Sequence, residues 1–125
     1  MLIDTDVLIW YMRGNKKAYD IIENHNGFSI SVINYIELLQ GLRNKSEFDE
    51  LRKAIKEWDT GIIYISEKIS AKAMFYMESY YLSHSLSLAD SLVGATAAVN
   101  GLSILTGNDK HYKQISEIKI IKFRP

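Results

Sequence analysis

Short β-like segments alternate with longer helical patterns along this chain, and this alternation restricts the folds that it can adopt. The segments with strand character are residues 1–4, 28–32, 62–65, 103–105 and 118–123. Helical patterns separate them, rather than two-residue turns, so the strands need crossover connections and a mainly parallel sheet. We therefore predict a three-layer α/β/α fold, with a mainly parallel sheet covered by helices on both faces.

The helical patterns are recognised by apolar residues spaced three or four positions apart and by glycines near their ends. The marker residues are Ala18, Ile21, Ile22 and Gly27; Ile33, Ile36, Leu39, Gly41 and Leu42; Phe48, Leu51, Ile55 and Trp58; Ile69, Ala73 and Met77; and Leu88, Leu92, Val93 and Ala97. Ser46, Ser66 and Ser87 are expected to cap the last three of these helices at their N-termini. The last two helices should end near His84 and at Gly101, respectively.

Length and composition predict one folded, cytoplasmic domain over residues 1–125. Hydrophobic residues make up 47% of the chain and charged residues 24%, as in ordinary globular proteins. No apolar run approaches the ~20 residues of a membrane span, and no basic region precedes the first apolar residues. The chain has no cysteine, which excludes disulfides and thiolate metal sites. Its formal net charge of zero argues against a protein that coats duplex nucleic acid.

Acidic residues follow or flank the predicted strands, where ligands bind in parallel α/β sheets. Asp4 and Asp6 follow the first strand, Asp109 follows the strand at residues 103–105, and Asp90 opens a helix. Glu37 lies within an apolar helical segment, directly after Ile36, which we expect to face inward. A carboxylate in such a place is costly unless it pairs, accepts hydrogen bonds or binds a cation.

Most of these acids also have an explanation that involves no chemistry. Asp90 lies three residues after Ser87, in a pattern typical of a capping box. Asp109 belongs to a turn-like Gly-Asn-Asp sequence, and Glu37 has Arg43 as a potential salt-bridge partner. Asp4 is the exception, because neither packing nor capping accounts well for an acid at the end of an apolar run.

Carboxylates gathered at one rim of a sheet repel one another unless a cation lies between them. An all-oxygen ligand set favours Mg²⁺ or Mn²⁺, and His25, His84 and His111 lack the spacing of a zinc site. The sequence has no nucleophile elbow, dinucleotide fingerprint or P-loop. A metal–carboxylate site suited to phosphate chemistry therefore remains.

Three segments resemble those of the PIN-domain nucleases, most closely the VapC-like toxins of type II toxin–antitoxin pairs. The segments are LIDTDVLI at residues 2–9, SVINYIELLQGL at residues 31–42 and LADSLVGATA at residues 88–97. They carry Asp4, Glu37 and Asp90, respectively. The fourth segment, TGNDKHY at residues 106–112, departs from the family pattern. It has Asn108 where the family usually has Asn or Asp, and its acid is shifted by one position to Asp109.

This resemblance implies a Mg²⁺-dependent endoribonuclease, with Mn²⁺ as an alternative metal, that forms a homodimer and is inhibited by a cognate antitoxin protein. It implies that Asp4 and Asp90 hold the metal and that Glu37 positions or deprotonates the attacking water. Either Asp109 completes the catalytic set, or Asn108 serves through its carbonyl oxygen. RNA phosphates would meet Arg13, Lys16 and Lys17 or the basic C-terminal stretch from Lys110.

Two alternatives stay open at this point. The opening Asp4-Thr5-Asp6-Val7 also resembles haloacid-dehalogenase-type phosphatases, in which Asp4 would be the nucleophile and Asp6 the general acid. The other alternative is a non-catalytic module whose acidic pocket binds an Arg-bearing peptide of a partner protein.

Overall fold

Five short strands form a single parallel sheet in the computed structural model, which describes all 125 residues. The strands are β1 (Leu2–Ile3), β2 (Ser29–Ser31), β3 (Gly61–Ile63), β4 (Ile104–Thr106) and β5 (Ile120–Lys122). Their order across the sheet is β3-β2-β1-β4-β5, and every neighbouring pair is parallel. The predicted parallel sheet is confirmed, and each strand overlaps a predicted segment.

Six α-helices and one short 3-10 helix connect the strands. The α-helices are α1 (Thr5–Met12), α2 (Lys16–Glu23), α3 (Val32–Gln40), α4 (Lys45–Glu57), α5 (Glu67–His84) and α6 (Leu88–Val99), and the 3-10 helix is Asp109–His111. Ser66 and Ser87 cap α5 and α6 as predicted, each accepting a backbone N–H three residues further on. None of these helices is both long enough and apolar enough to cross a membrane.

Neighbouring residues on the central strands face opposite layers of the protein. Leu2 and Ile104 pack into a core with α5 and α6, whereas Ile3 and Leu105 pack into a second core with α1 to α4. This arrangement follows from the two-residue period of a strand, in which successive side chains alternate between the faces of the sheet. Apolar residues therefore cover both faces, and the predicted three-layer architecture is confirmed.

Helix α1 is absent from the predicted elements, and its presence changes the interpretation of Asp4. The helix follows β1 without a loop, and its residues Val7 to Tyr11 form a continuous apolar run rather than an amphipathic pattern. Asp4 is the N-cap residue of α1, and its Oδ1 accepts a 2.9 Å hydrogen bond from the N–H of Thr5. The expectation that capping does not explain Asp4 is therefore wrong.

The start of α4 also differs from the prediction. Asn44, rather than Ser46, is its N-cap, and Oδ1 of Asn44 accepts a 2.9 Å hydrogen bond from the N–H of Glu47. Ser46 lies inside the first turn. Asparagine and serine are about equally good caps, so composition alone does not distinguish a start at residue 44 from a start at residue 46.

Candidate active site at the carboxyl edge of the sheet

A polar cleft of about 390 Å³ opens where the chain leaves β1 and β4. From β1 the chain adds β2 and β3 on one side of the sheet and then adds β4 and β5 on the other side, so β1 and β4 form a topological switch point. Ligands of parallel α/β sheets bind at such a switch point. Only two of the 13 residues that line the cleft are hydrophobic. Its acidic residues are Asp4, Asp6, Glu37 and Asp90. The fold thus brings together acids from three segments that are distant in sequence.

Asp4 lies at the base of the cleft, and four hydrogen bonds fix both of its carboxylate oxygens. Its Oδ1 accepts from the N–H of Thr5 at 2.9 Å and from Nδ2 of Asn34 at 3.1 Å. Its Oδ2 accepts from the hydroxyl groups of Thr106 at 2.9 Å and Tyr112 at 3.0 Å. The side chain is only 6% exposed, so this carboxylate has one well-defined orientation.

Burial disfavours the charged forms of two acids of this cleft, Asp4 and Asp6. Burial raises the pKa of Asp4, and the nearby charge of Asp90 adds to that effect, while hydrogen bonds from Thr106, Thr5 and Tyr112 offset part of it. Burial and the charge of Asp4 likewise raise the pKa of Asp6, against a hydrogen bond from the N–H of Gly107. Positive charge at this site would favour the ionised form of both acids.

Glu37 reaches the cleft from α3 and is connected to Asp4 by two polar side chains. The hydroxyl group of Thr5 donates to Oε1 of Glu37 at 2.7 Å, and Nδ2 of Asn34 donates to that same hydroxyl oxygen at 3.0 Å. Arg43 pairs with Glu47 instead, at 3.0 Å, so the alternative explanation of Glu37 as its salt-bridge partner is wrong.

The inward face of α3 differs from the prediction. Asn34 and Leu38 are buried, whereas Ile36 is 46% exposed. The apolar residues at positions 33, 36 and 39 therefore do not mark the buried stripe of this helix. Asn34 takes an inward position because its side chain completes the capping box of α3 and also donates to Asp4.

Asp90 projects from the first turn of α6 toward the cleft. Its backbone N–H donates to Oγ of Ser87 at 3.0 Å, which is the capping half of the predicted pattern. Its carboxylate instead contacts Nδ1 of His111 at 3.1 Å and the hydroxyl group of Tyr112 at 3.4 Å. The helix cap thus uses the backbone of this residue, and the carboxylate stays within the cleft.

Asp109, the fourth acid expected in the catalytic set, does not line the cleft. Its Oδ1 accepts a 2.9 Å hydrogen bond from Arg124, and its Oδ2 lies 3.9 Å from Nζ of Lys122. Arg124 also lowers the pKa of Asp109. Asn108 lines the cleft in its place. The structure therefore brings together three of the four expected residues, because the 3-10 helix that begins at Asp109 turns this side chain toward β5.

Several polar residues that were not predicted contact the expected acids, and two of them, Thr5 and His111, also line the cleft. Thr5, Asn34, Thr106 and Tyr112 hold Asp4, and His111 contacts Asp90. A polar residue at the end of the apolar strand β4 is a signal that could have indicated Thr106. The contacts of His111 and Tyr112 could not be identified from the sequence, because their partners, Asp90 and Asp4, are remote along the chain.

The donor set fits a divalent cation held in an open site. Asp6 has one buried carboxylate oxygen, Oδ1, with no hydrogen-bond partner, and its Oδ2 accepts from the N–H of Gly107 at 2.8 Å. No three or more Asp, Glu or His side chains are placed together as ligands of one metal ion. Few carboxylates and several retained waters are the usual coordination of Mg²⁺, so oxygen ligands at this cleft suit that ion.

The same geometry does not favour the phosphatase alternative. A nucleophilic Asp4 with Asp6 as general acid would leave Glu37 and Asp90, which line the same cleft, without a role. Asp6, the general acid in that mechanism, has one oxygen bound to the backbone of Gly107.

The chain resembles known proteins in sequence and in fold. The sequence model of the PIN domain matches residues 1–118. Ribonuclease VapC10 from Mycobacterium tuberculosis is 31% identical over 123 residues, which cover 95% of this chain and 90% of that protein. A toxin–antitoxin complex from Klebsiella pneumoniae has a chain that is 25% identical, with a TM-score of 0.81 and coverage of 97% of this chain and 95% of the other. The structure of VapBC2 from Rickettsia felis bound to a promoter DNA fragment contains a chain with a TM-score of 0.82 and 16% identity, and the match covers 98% of both chains. This similarity is one of fold.

Proposed function

Since this chain belongs to the PIN domain family, we propose that it is a divalent-metal-dependent endoribonuclease and the toxin of a toxin–antitoxin pair. The observation that carries the proposal is the meeting of Asp4, Glu37 and Asp90 in one polar cleft. The name of the similar M. tuberculosis ribonuclease and the toxin–antitoxin complex of similar fold support the two parts of the proposal. An RNA-cleaving toxin would act in the cytoplasm.

Asp4 and Asp90 are the residues that we assign to hold the metal, Mg²⁺ or in its place Mn²⁺. When bound, the ion supplies Lewis-acid stabilisation of charge on the phosphoryl oxygens and offsets the repulsion between the acids and the RNA backbone. Asp4 contributes a carboxylate that Thr5, Asn34, Thr106 and Tyr112 hold in one orientation. Little reorganisation is then needed before the reaction, which favours catalysis.

We assign to Glu37 the role of orienting and deprotonating the attacking water. Thr5 occupies Oε1 of Glu37, and Oε2 accepts no hydrogen bond within the chain, so this oxygen is available to a water in the cleft. Glu37 would orient that water and accept its proton as the oxygen attacks phosphorus in line with the leaving oxygen of the ribose. This assignment accounts for a carboxylate on a helix that is otherwise largely apolar.

The inhibitory partner that we propose is an antitoxin protein whose tail enters the acidic cleft. Basic side chains of such a segment would be attracted by Asp4, Asp6, Glu37 and Asp90, which also line the substrate site. Binding of the tail and of RNA would then be mutually exclusive. We further propose that the active protein is a homodimer, as the family resemblance implies.

The products of RNA cleavage test the proposed chemistry. Attack by water, rather than by the ribose 2′-hydroxyl, gives no 2′,3′-cyclic phosphate. We therefore expect Mg²⁺-dependent cleavage of RNA into fragments without a cyclic phosphate, and continued cleavage at a scissile nucleotide that carries a 2′-O-methyl group. End-group analysis by mass spectrometry reads the result. Cyclic phosphate ends, or protection by the methyl group, would overturn the proposed water attack.

The basic residues of the C-terminal stretch differ in their availability to RNA. Arg124 and Lys122 face Asp109, at 2.9 and 3.9 Å, respectively. Lys16, one of the basic residues expected near the first strand, lies 3.7 Å from Asp20. Lys110 lines the cleft and forms no salt bridge, so its ammonium group is the cation best placed to meet a phosphate beside the scissile bond.

Replacement of Lys110 by Gln is expected to raise KM roughly tenfold with little change in kcat, because a phosphate contact made equally in the ground and transition states is lost. The dependence of log KM on log salt concentration should become shallower by about 0.7, the value for one contact with a single-stranded phosphate. Lys113→Gln is the matched control, since Lys113 is exposed on the same segment but does not line the cleft. Equal effects of the two substitutions would contradict the assignment of Lys110.

A further inference from the structure

The hydroxyl group of Tyr112 is the one side-chain atom that contacts both acids to which we assign the metal. It lies 3.0 Å from Oδ2 of Asp4 and 3.4 Å from Oδ1 of Asp90. Tyr112 is fully buried, and its ring belongs to the core between the sheet and helices α5 and α6. The side chain therefore connects the hydrophobic core to the base of the cleft.

Helix α6 gives the phenol ring access to this position. Asp90 and Gly94 are four residues apart and thus lie on the same face of the helix. A methyl group at Gly94 would lie 3.7 Å from Cδ1 of the Tyr112 ring, so the ring packs along this face. The hydroxyl group of this ring reaches the carboxylate of Asp90, whereas Ile115 and Ile118 take up the space that a side chain at Gly94 would need.

A phenol hydroxyl has one proton and can donate it to only one carboxylate at a time. The shorter contact makes Asp4 the acceptor, while Nδ1 of His111 lies 3.1 Å from the other oxygen of Asp90. Without the hydroxyl group, Oδ2 of Asp4 would keep only Thr106 as a donor. Asp90 would lose its contact with the residue that also holds Asp4.

We propose that Tyr112 is a positioning residue for the metal site, whose hydroxyl group donates to Asp4 and so holds that carboxylate in the orientation in which it binds a divalent cation beside Asp90. This inference rests on the proposed function. Residues that orient metal ligands through hydrogen bonds typically account for a 10- to 100-fold effect on metal affinity. The phenol does not need to touch substrate or metal to have this effect.

Tyr76 provides a matched comparison within the same core. It lies on α5 and is also buried in this core, and its hydroxyl group also donates to a carboxylate, that of Glu117. Glu117 pairs with Lys72 at 3.1 Å and does not line the cleft. Tyr112→Phe and Tyr76→Phe therefore each remove one buried hydroxyl group and one hydrogen bond to a carboxylate, but only one of them alters the metal site.

The test is a Mn²⁺ titration of the full-length chain and both variants, with free Mn²⁺ measured by electron paramagnetic resonance. Tyr112→Phe is expected to weaken Mn²⁺ binding by about 10- to 100-fold, while Tyr76→Phe leaves it unchanged within about twofold. Circular dichroism and urea unfolding verify that each variant is folded. Both rings stay in place, so the substitutions should preserve core packing.

The outcomes separate this inference from the function on which it depends. If the unchanged chain binds Mn²⁺ and Tyr112→Phe binds it equally well, the positioning role is wrong while the proposed function stands. If Tyr76→Phe weakens Mn²⁺ binding as much as Tyr112→Phe, the effect is one of general core stability, and the inference is wrong again. If the unchanged chain binds no Mn²⁺, both the proposed function and the inference are overturned.

Discussion

Replacement of Asp4 by Asn should reduce RNA cleavage by about 10³-fold, because the loss of a metal-holding charge removes several kcal/mol of transition-state stabilisation. The loss should not come from misfolding. Asparagine is as good an N-cap as aspartate, so the start of α1 is kept. The carboxamide also matches the carboxylate in shape, and the hydroxyl groups of Thr106 and Tyr112 can rotate to accept from it.

The same substitution should stabilise the metal-free protein at neutral pH. Burial raises the pKa of Asp4 in the folded protein above its value in the unfolded chain. The contribution of Asp4 to the free energy of unfolding should therefore be most favourable below the unfolded-state pKa of about 3.9 and should be lost as pH rises through the folded-state pKa. Asp4→Asn lacks this titration, so its stability advantage should grow with pH.

Urea unfolding in EDTA between pH 4 and pH 7 measures this difference. Asp20→Asn is a suitable control, because Asp20 is exposed on α2 and distant from the cleft. Added Mg²⁺ should then stabilise wild type more than Asp4→Asn, since only wild type retains the full ligand set. Cleavage at the wild-type rate, or a metal-free Asp4→Asn protein less stable than wild type at pH 7, would contradict our account of Asp4.

The sheet was predictable from the sequence because its central strands are buried on both faces. Strands such as β1 and β4 are then continuous apolar runs, and the helical patterns between them require parallel pairing. Helix α1 was not predictable in the same way. It is packed between the sheet and its neighbours, so its apolar run lacks the helical period that marks an amphipathic helix.

The expected site residues reach the cleft where their position in the fold decides their placement, and Asp109 does not, because local backbone geometry decides its placement. Asp4 and Asp90 reach the cleft because a strand ends or a helix begins beside it. Asp109 also follows a strand, but the 3-10 helix that it opens turns its carboxylate toward Arg124. The contacts of Tyr112 could not be predicted from the sequence, because the two acids near its hydroxyl group, Asp4 and Asp90, are remote from it along the chain.

Replacement of Asp90 by Asn is the second substitution for which we expect a loss of about 10³-fold in cleavage rate, for the same electrostatic reason as at Asp4. The fold of α6 should be unaffected, because the contact with Ser87 uses the backbone N–H of residue 90. Asp109→Asn is the matched control. Its carboxylate pairs with Arg124 outside the cleft, so we expect cleavage within about twofold of wild type.

A result in which Asp109→Asn abolishes cleavage and Asp90→Asn does not would reverse the assignment of the third acid. Equal, partial losses in both variants would instead indicate a general effect of charge on RNA binding. Steady-state kinetics separate the two cases, because removal of a metal ligand lowers kcat whereas weaker RNA binding raises KM.

The proposed metal-dependent nuclease activity is best measured as cleavage of RNA by the purified wild-type chain and Asp90→Asn protein in Mg²⁺, in Mn²⁺ and in EDTA. We expect cleavage by wild type in either metal, none in EDTA, recovery when metal is restored in excess, and a loss of about 10³-fold in the variant with either metal. Cleavage that persists in EDTA, or that proceeds at full rate in Asp90→Asn, would contradict a metal–carboxylate nuclease at this cleft.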